Sequence, residues 1–223
     1  LSYRVLSMDE VLACDVVSLH VPLIRSGADA TFHLLDAQQL STMKAGQLLI
    51  NTCRGAVVDN AALLALPQQN LPQLVLDVWD NEPHVLQELV PFTRIATAHI
   101  AGHSIEGKAR GTEMLYQALC KSLKITPKHA LGDFCPVPVL EKLQISANFR
   151  LSDVQNVCRM LYDVRRDDAL FRFHLQGLGF DWLRKHYPPR REFSSLQIGL
   201  ASTARAIPEF LHLLGFSSQH EGK

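Results

Sequence analysis

The chain has no excess charge of either sign. Its 22 Lys and Arg stand against 22 Asp and Glu, a formal net charge of zero. This excludes the overall field that draws a protein to nucleic acid or to an anionic membrane. There is no run of 18 apolar residues, so no segment reads as a bilayer span. Nor is there a C-x-x-C pair: Cys14, Cys53, Cys120, Cys135 and Cys158 are scattered and odd in number, which argues against a zinc site or a redox couple. Reduced thiols in a cytoplasmic protein are the expectation. The opening Leu-Ser-Tyr-Arg-Val-Leu-Ser lacks both an initiator Met and the layout of a secretory signal, so the chain is expected to be a piece of a longer one. No internal repeat or low-complexity segment occurs.

What is present is apolar residue in quantity. At 47% hydrophobic over 223 residues, the chain can bury one large core or two modest ones. Short apolar runs at 15–21, 47–50, 74–78 and 94–99 read as strands. Between them lie helical patterns. Asp36 is placed to cap one that ends before Gly46, and Asp59 or Asn60 to cap another that Pro67 closes. Uniformly apolar strands alternating with helices predict a parallel, doubly wound α/β sheet whose ligands gather at the carboxyl ends of the strands. Residues 104–123 read as one long helix with Ile105, Leu115, Leu119 and Leu123 near one stripe, weakened at its start by Gly107 and Gly111. A linker with Pro127, Pro136 and Pro138 leads to a second apolar-and-charged region from Leu140 to Phe216.

Four residues fall at or just beyond strand ends: Arg54, Asp77, Glu82 and His99. A solvated surface arginine is the ordinary reading of Arg54. At a strand end, however, a guanidinium can clamp a carboxylate through two parallel charge-assisted hydrogen bonds. His99, one of ten histidines, has a structural reading too, but an imidazole there suits proton transfer near neutrality. Glu82, otherwise a turn residue before Pro83, can orient that imidazole. His99 and His103 share an i, i+4 spacing, but without an acidic or Cys ligand pattern nearby a metal pair is not expected. The basic stretch from Leu183 to Arg191 reads as a solvated loop or a subunit contact.

The motifs that carry these residues resemble those of the D-2-hydroxyacid dehydrogenases: Leu19-His-Val-Pro22, Ile50-Asn-Thr-Cys-Arg-Gly-Ala-Val-Val-Asp59, Leu76-Asp-Val-Trp-Asp-Asn-Glu-Pro83 and Thr97-Ala-His-Ile-Ala-Gly102. The run His99 to Thr112, with Tyr162-Asp-Val-Arg-Arg-Asp-Asp168 and Arg190-Arg-Glu-Phe-Ser-Ser195, is similar to the members that act on 4-phospho-D-erythronate and carry an extra carboxy-terminal domain. The resemblance implies Arg54 as carboxylate binder, His99 as acid/base and Glu82 as its partner. It implies an NAD site lined by Val21, Thr52, Cys53, Arg54, Asp77 and Gly102, with Arg54 and His103 toward the substrate, and a homodimer held by the carboxy-terminal domain. The family usually has a tyrosine where His103 stands.

On the same footing, residues 1–104 are expected to be the second half of a Rossmann-like NAD-binding domain. Residues 105–127 would be a connecting helix and linker, and 128–223 a smaller α+β dimerisation domain. No G-x-G-x-x-G occurs, because Gly177-Leu-Gly179 lacks the third glycine; the glycine loop is expected upstream of Asp15. Two alternatives stay open: a dehydrogenase for another acid, of phosphoglycerate or hydroxypyruvate type, or a non-catalytic NAD-sensing or dimerising relative.

Overall fold

A computed structural model describes residues 4–201 and 206–218. The extreme ends of the chain and residues 202–205, the latter inside the expected carboxy-terminal domain, lie outside the described residues. In chain order the elements are α1 (Met8–Leu12), β1 (Val16–Leu19), α2 (Ala37–Thr42), β2 (Leu48–Asn51), α3 (Asn60–Ala65), β3 (Gln73–Leu76), β4 (Thr93–Ala96), α4 (Ile105–Leu123), β5 (Lys142–Ile145), α5 (Val154–Leu161), α6 (Val164–Leu178), α7 (Phe180–Lys185), β6 (Gln197–Leu200), α8 (Glu209–Leu213) and β7 (Ser217–Ser218), with short 3-10 turns between. None of the described helices is long and apolar enough to cross a membrane.

The chain divides into two compact units, the first comprising residues 1–101 and 164–187, the second 102–163 and 188–223. This differs from the contiguous division expected from the sequence. Residues 164–187 bury Phe171, Leu175 and Phe180 in the first unit's core, so hydrophobic packing rather than chain order assigns them there.

In the first unit four parallel strands pair in the order β1-β2-β3-β4, in agreement with the doubly wound pattern. Asp36 caps α2 by accepting from the amides of Gln38 and Gln39. Asp59, rather than Asn60, caps α3 through the amide of Ala62. The centre is dry: Leu49, Leu63, Leu74, Leu76 and Leu89 are fully buried, and Trp79 stacks on Phe171 with ring centroids 5.3 Å apart. The edge strand β4 is closed by side chains instead of a fifth strand. Asp168 Oδ1 accepts the Ala96 amide at 2.7 Å, while Arg172 donates to the carbonyls of Val90 and Thr93 and grips Asp168 through Nε. A charged pair on α6 thus satisfies backbone groups that an open edge would leave for another chain.

The second unit is the smaller one, with three parallel strands in the order β5-β6-β7. The β5–β6 connection contains α5, and a crossover through a helix returns the chain parallel. Its core is small, centred on Ile145, Leu196, Ile198, Leu211 and Phe216. Cys158 packs against that core, and burial raises its thiol above the ordinary cysteine value. Helix α4 starts at a polar clamp. Ser104 caps it, and Glu106, 4% exposed, accepts from Arg191 Nε and from the Glu192 amide. Gly107 is required there, since a Cβ would stand 2.7 Å from the Gly102 carbonyl oxygen and from Ser104 Oγ; at Gly111 the same space is open. The stripe expected to bury itself does not: Leu115, Leu119 and Leu123 are 74%, 57% and 59% exposed, because nothing within the described residues packs over that face.

Candidate active site

The carboxyl ends of β2, β3 and β4 lie side by side, since Asn51 pairs with Leu76 and Leu76 with Ala96. The loops that leave them therefore share one edge of the sheet. Each is tied down by a buried polar group, Asn51, Asn60 or Asp77, of which the sequence pointed to Asp77 as a site residue and to Asn60 only as a helix cap. Asn51 is fully buried; its amide nitrogen donates to the Arg54 carbonyl at 3.1 Å and its oxygen accepts from the Cys53 amide at 3.2 Å, turning the chain sharply at Thr52-Cys53. Arg54 is exposed, its Nη1 donating to the Cys53 carbonyl at 2.6 Å. Gly55 follows because nothing larger fits: a Cβ would stand 1.8 Å from the Trp79 carbonyl oxygen. Asn60, also buried, accepts the Asp80 amide at 2.9 Å and so links this loop to the one after β3.

Asp77 is 4% exposed and bonds inward. Its carboxylate accepts from Thr97 Oγ1 at 2.6 Å and from the amides of Ile100 and Ala101 at 2.8 Å each, and its carbonyl accepts the His99 amide at 2.7 Å. A buried carboxylate with three donors is a stable clamp. It holds the turn on both sides of His99, whose backbone lies in the left-handed region at φ 57°. Trp79 adds a fourth tie, its indole N–H donating to the Thr97 carbonyl at 2.9 Å.

On this turn His99 Nδ1 meets Glu82 Oε2 at 2.8 Å. Glu82 is itself held, because Oε1 accepts the Trp79 amide at 2.8 Å. With Nδ1 engaged by a carboxylate, Nε2 is the ring nitrogen left to exchange a proton with a ligand. The side chains are 28% and 19% exposed, so the pair is partly desolvated yet open to small molecules. A second histidine–carboxylate contact braces the same loop: His33 Nε2 lies 2.8 Å from Asp80 Oδ2 and Nδ1 lies 3.6 Å from Asp59 Oδ2. These three are the described residues whose ligand atoms cluster closely enough for a metal ion, but the two ring nitrogens point to different carboxylates, an arrangement that braces rather than chelates.

The structure thus brings Glu82 and His99 into contact and sets Thr52, Cys53, Arg54 and Asp77 along the same strand edge. Val21, just past β1, is half-buried against the core. Gly102, with φ 73° and open space where a Cβ would stand, and His103 begin the second unit. Asn51 lies within the Ile50–Asp59 motif, where an Asn at a strand end before a tight turn is the signal that finds it; Asn60 starts α3 and carries no such signal.

Comparison with known proteins finds relatives for both parts of the chain. Residues 1–101 match the family described as D-isomer specific 2-hydroxyacid dehydrogenase, NAD binding domain, and residues 134–215 match a domain of unknown function, DUF3410. The chain is 51% identical over 210 residues to the erythronate-4-phosphate dehydrogenase of Colwellia psychrerythraea, covering 93% of this chain and 53% of that protein. It is 53% identical over 191 residues to the enzyme of the same name from Aeromonas hydrophila, covering 85% and 51%. A third, from Psychromonas ingrahamii, is 45% identical over 214 residues, covering 95% and 55%. The chain spans about half the length of the curated relatives it matches.

Proposed function

We propose, from a chain whose residues 1–101 belong to the D-isomer specific 2-hydroxyacid dehydrogenases, that it is the part of an NAD-dependent enzyme that carries the proton-transfer and carboxylate-binding groups. The substrate is 4-phospho-D-erythronate, oxidised at its 2-hydroxyl to 3-hydroxy-2-oxo-4-phosphobutanoate in pyridoxal 5'-phosphate synthesis. The name shared by relatives at 45–53% identity supports this choice over another 2-hydroxy acid or a non-catalytic relative. The observation that carries the reading is the Glu82–His99 contact at the carboxyl edge of a parallel sheet.

In this reading Glu82 fixes the His99 tautomer, and His99 Nε2 takes the proton of the substrate 2-hydroxyl as it becomes a carbonyl. Arg54 holds the adjacent carboxylate, with His103 toward the same ligand. NAD, when bound, would supply the hydride acceptor. Val21, Thr52, Cys53, Arg54, Asp77 and Gly102 would hold its nicotinamide side. The half-buried Thr52 and Cys53 fit a ligand at this edge; Asp77, turned toward its own chain, would act by shaping the His99 turn. We further place the protein in the cytoplasm, where its five free thiols stay reduced, as a homodimer joined through the second unit. The exposed Met114, Leu115, Leu119 and Leu123 along α4 support that association.

The test uses a chain with the full length of its relatives. His99→Ala is expected to lower kcat by about 10²–10⁴-fold while NAD binding, read by calorimetry, persists. In the same assay Arg54→Lys should raise KM and lower kcat, since lysine keeps the charge but not the planar grip. Turnover of 4-phospho-D-erythronate unchanged by His99→Ala would overturn the proposal.

A further inference from the structure

We propose that His33 is a positioning residue for the reaction: it couples the loop that carries Arg54 to the loop that carries Glu82, so that carboxylate grip and proton transfer share one geometry. His33 acts in this way only if Arg54, Glu82 and His99 have the roles proposed above. Its ring stands between two carboxylates that belong to different loops. Nε2 lies 2.8 Å from Asp80 Oδ2, and Nδ1 lies 3.6 Å from Asp59 Oδ2. Asp59 caps α3 and closes the loop that Arg54 opens, while Asp80 sits in the turn that leads to Glu82.

The surroundings leave the ring little freedom. The His33 amide donates to the Ala56 carbonyl at 2.8 Å, the Leu35 amide to that of Val57 at 3.1 Å, and the Asp59 amide to that of Leu35 at 3.1 Å. Residues 33–35 thus run beside 56–59, with Leu35 and Val58 as a parallel bridge. Phe32 stacks on the ring, the centroids 4.0 Å apart. His33 has φ 48°, in the left-handed region that is costly for a residue with a side chain. Asn81 at 61° and His99 at 57° share that region. The other such residue among the described ones is Lys124, which ends α4. Strain of this kind persists only where the surroundings enforce it, and here it gathers in the loops around one strand edge.

From Asp80 the constraint passes to the acid/base pair through a single turn. Asn60 Oδ1 accepts the Asp80 amide at 2.9 Å, and His33 engages the Asp80 carboxylate. The neighbouring Trp79 amide donates to Glu82 Oε1, and Glu82 Oε2 meets His99 Nδ1, at 2.8 Å each. Asp59 and Asp80 place carboxylate oxygens within 4.8 Å of each other, and the side chains are only 26% and 24% exposed. Without the imidazole between them, like charges would drive the Arg54 loop and the Glu82 turn apart. A misplacement of about 1 Å at a reacting group can cost about 10²-fold in rate.

Steady-state kinetics in a chain with the full length of its relatives test the coupling. His33→Ala is expected to lower kcat/KM for 4-phospho-D-erythronate about 10- to 100-fold, with kcat reduced and KM raised together. Adding Asp80→Asn to His33→Ala removes the repulsion and should recover part of the loss, a rescue that lost packing alone would not give. A second measurement needs no cofactor: two-bond proton–nitrogen NMR of the neutral His99 ring in the 223-residue chain. The wild-type ring is expected to carry its proton on Nδ1, toward Glu82, and His33→Ala to lose that preference. Thermal melts check folding; should His33→Ala not fold, His33→Gln, which keeps one donor, replaces it with an expected loss of about 10-fold. Wild-type kcat and KM in the folded single variant, no recovery in the double variant, or an unchanged His99 tautomer would each overturn the proposal. If His99→Ala leaves turnover unchanged, the reaction assigned above falls, while the tautomer still decides whether His33 holds the Glu82–His99 pair.

Discussion

The first unit is organised by a dry interior, the second by charge. In the first, fully buried leucines and the Trp79–Phe171 stack surround four paired strands, and buried polar side chains such as Asn51, Asn60 and Asp77 tie loops. In the second, the buried apolar cluster is small and large apolar side chains such as Leu115, Phe134 and Leu213 stand exposed. The start of its longest helix depends instead on Glu106, Arg191, Glu192 and Ser104. Apolar burial is non-directional and tolerates small shifts, whereas a buried ion pair demands fixed geometry. The difference teaches that a unit with a small core can still specify one arrangement of a helix start, through charges whose desolvation is compensated only when they meet.

The comparison can be broken by mutation. Trp79→Ala should have the largest effect, a loss of about 3–5 kcal/mol in urea unfolding. Hydrogen exchange should show that loss among the amides of residues 16–101 and not in β5 and β6. An equal loss in both units would deny the separation.

Arg191→Met is expected to destabilise by about 3 kcal/mol, because it leaves the Glu106 carboxylate buried without its cation. The double variant Arg191→Met with Glu106→Leu should recover most of that loss. If the double variant is as unstable as the single one, packing of the arginine stem rather than charge supports α4.

Asp168→Asn should cost about 2 kcal/mol, since an amide cannot hold the Arg172 guanidinium as a carboxylate does and the β4 edge loses its brace. Size-exclusion chromatography sharpens this case: greater self-association of the variant would mark β4 as the edge exposed. The smallest effect is expected for Asp36→Ala, about 1 kcal/mol from the lost cap of α2. A denaturation midpoint unchanged from wild type would show that α2 is held by packing alone.

Much of the first unit was legible because its signals are local. The apolar runs at 47–50 and 74–78 lie in single stretches of chain and overlap β2 and β3, and Asp36, Asp59 and Ser104 stand where helix caps belong. The pairing of Glu82 with His99 was legible as chemistry but not as distance. It depends on a 2.8 Å approach across 17 residues, set by the Trp79 amide and the Asp77 clamp. The second unit was harder to read. Its strands are short, and Gln144 and Gln197 lie within them, so neither reads as an uninterrupted apolar run.

The sequence by itself determined the alternation of strand and helix, the caps, and the order of Arg54, Glu82 and His99 on successive strand ends, because each depends on residue type and near-neighbour spacing. Only the tertiary structure decided that residues 164–187 join the first unit, that Asp168 and Arg172 close β4, that Asp77 turns inward to hold the His99 turn, and that the leucine stripe of α4 stays exposed. Each of these depends on which distant surfaces bury one another, a choice made by the total apolar area and charge brought together and written in no single stretch of chain.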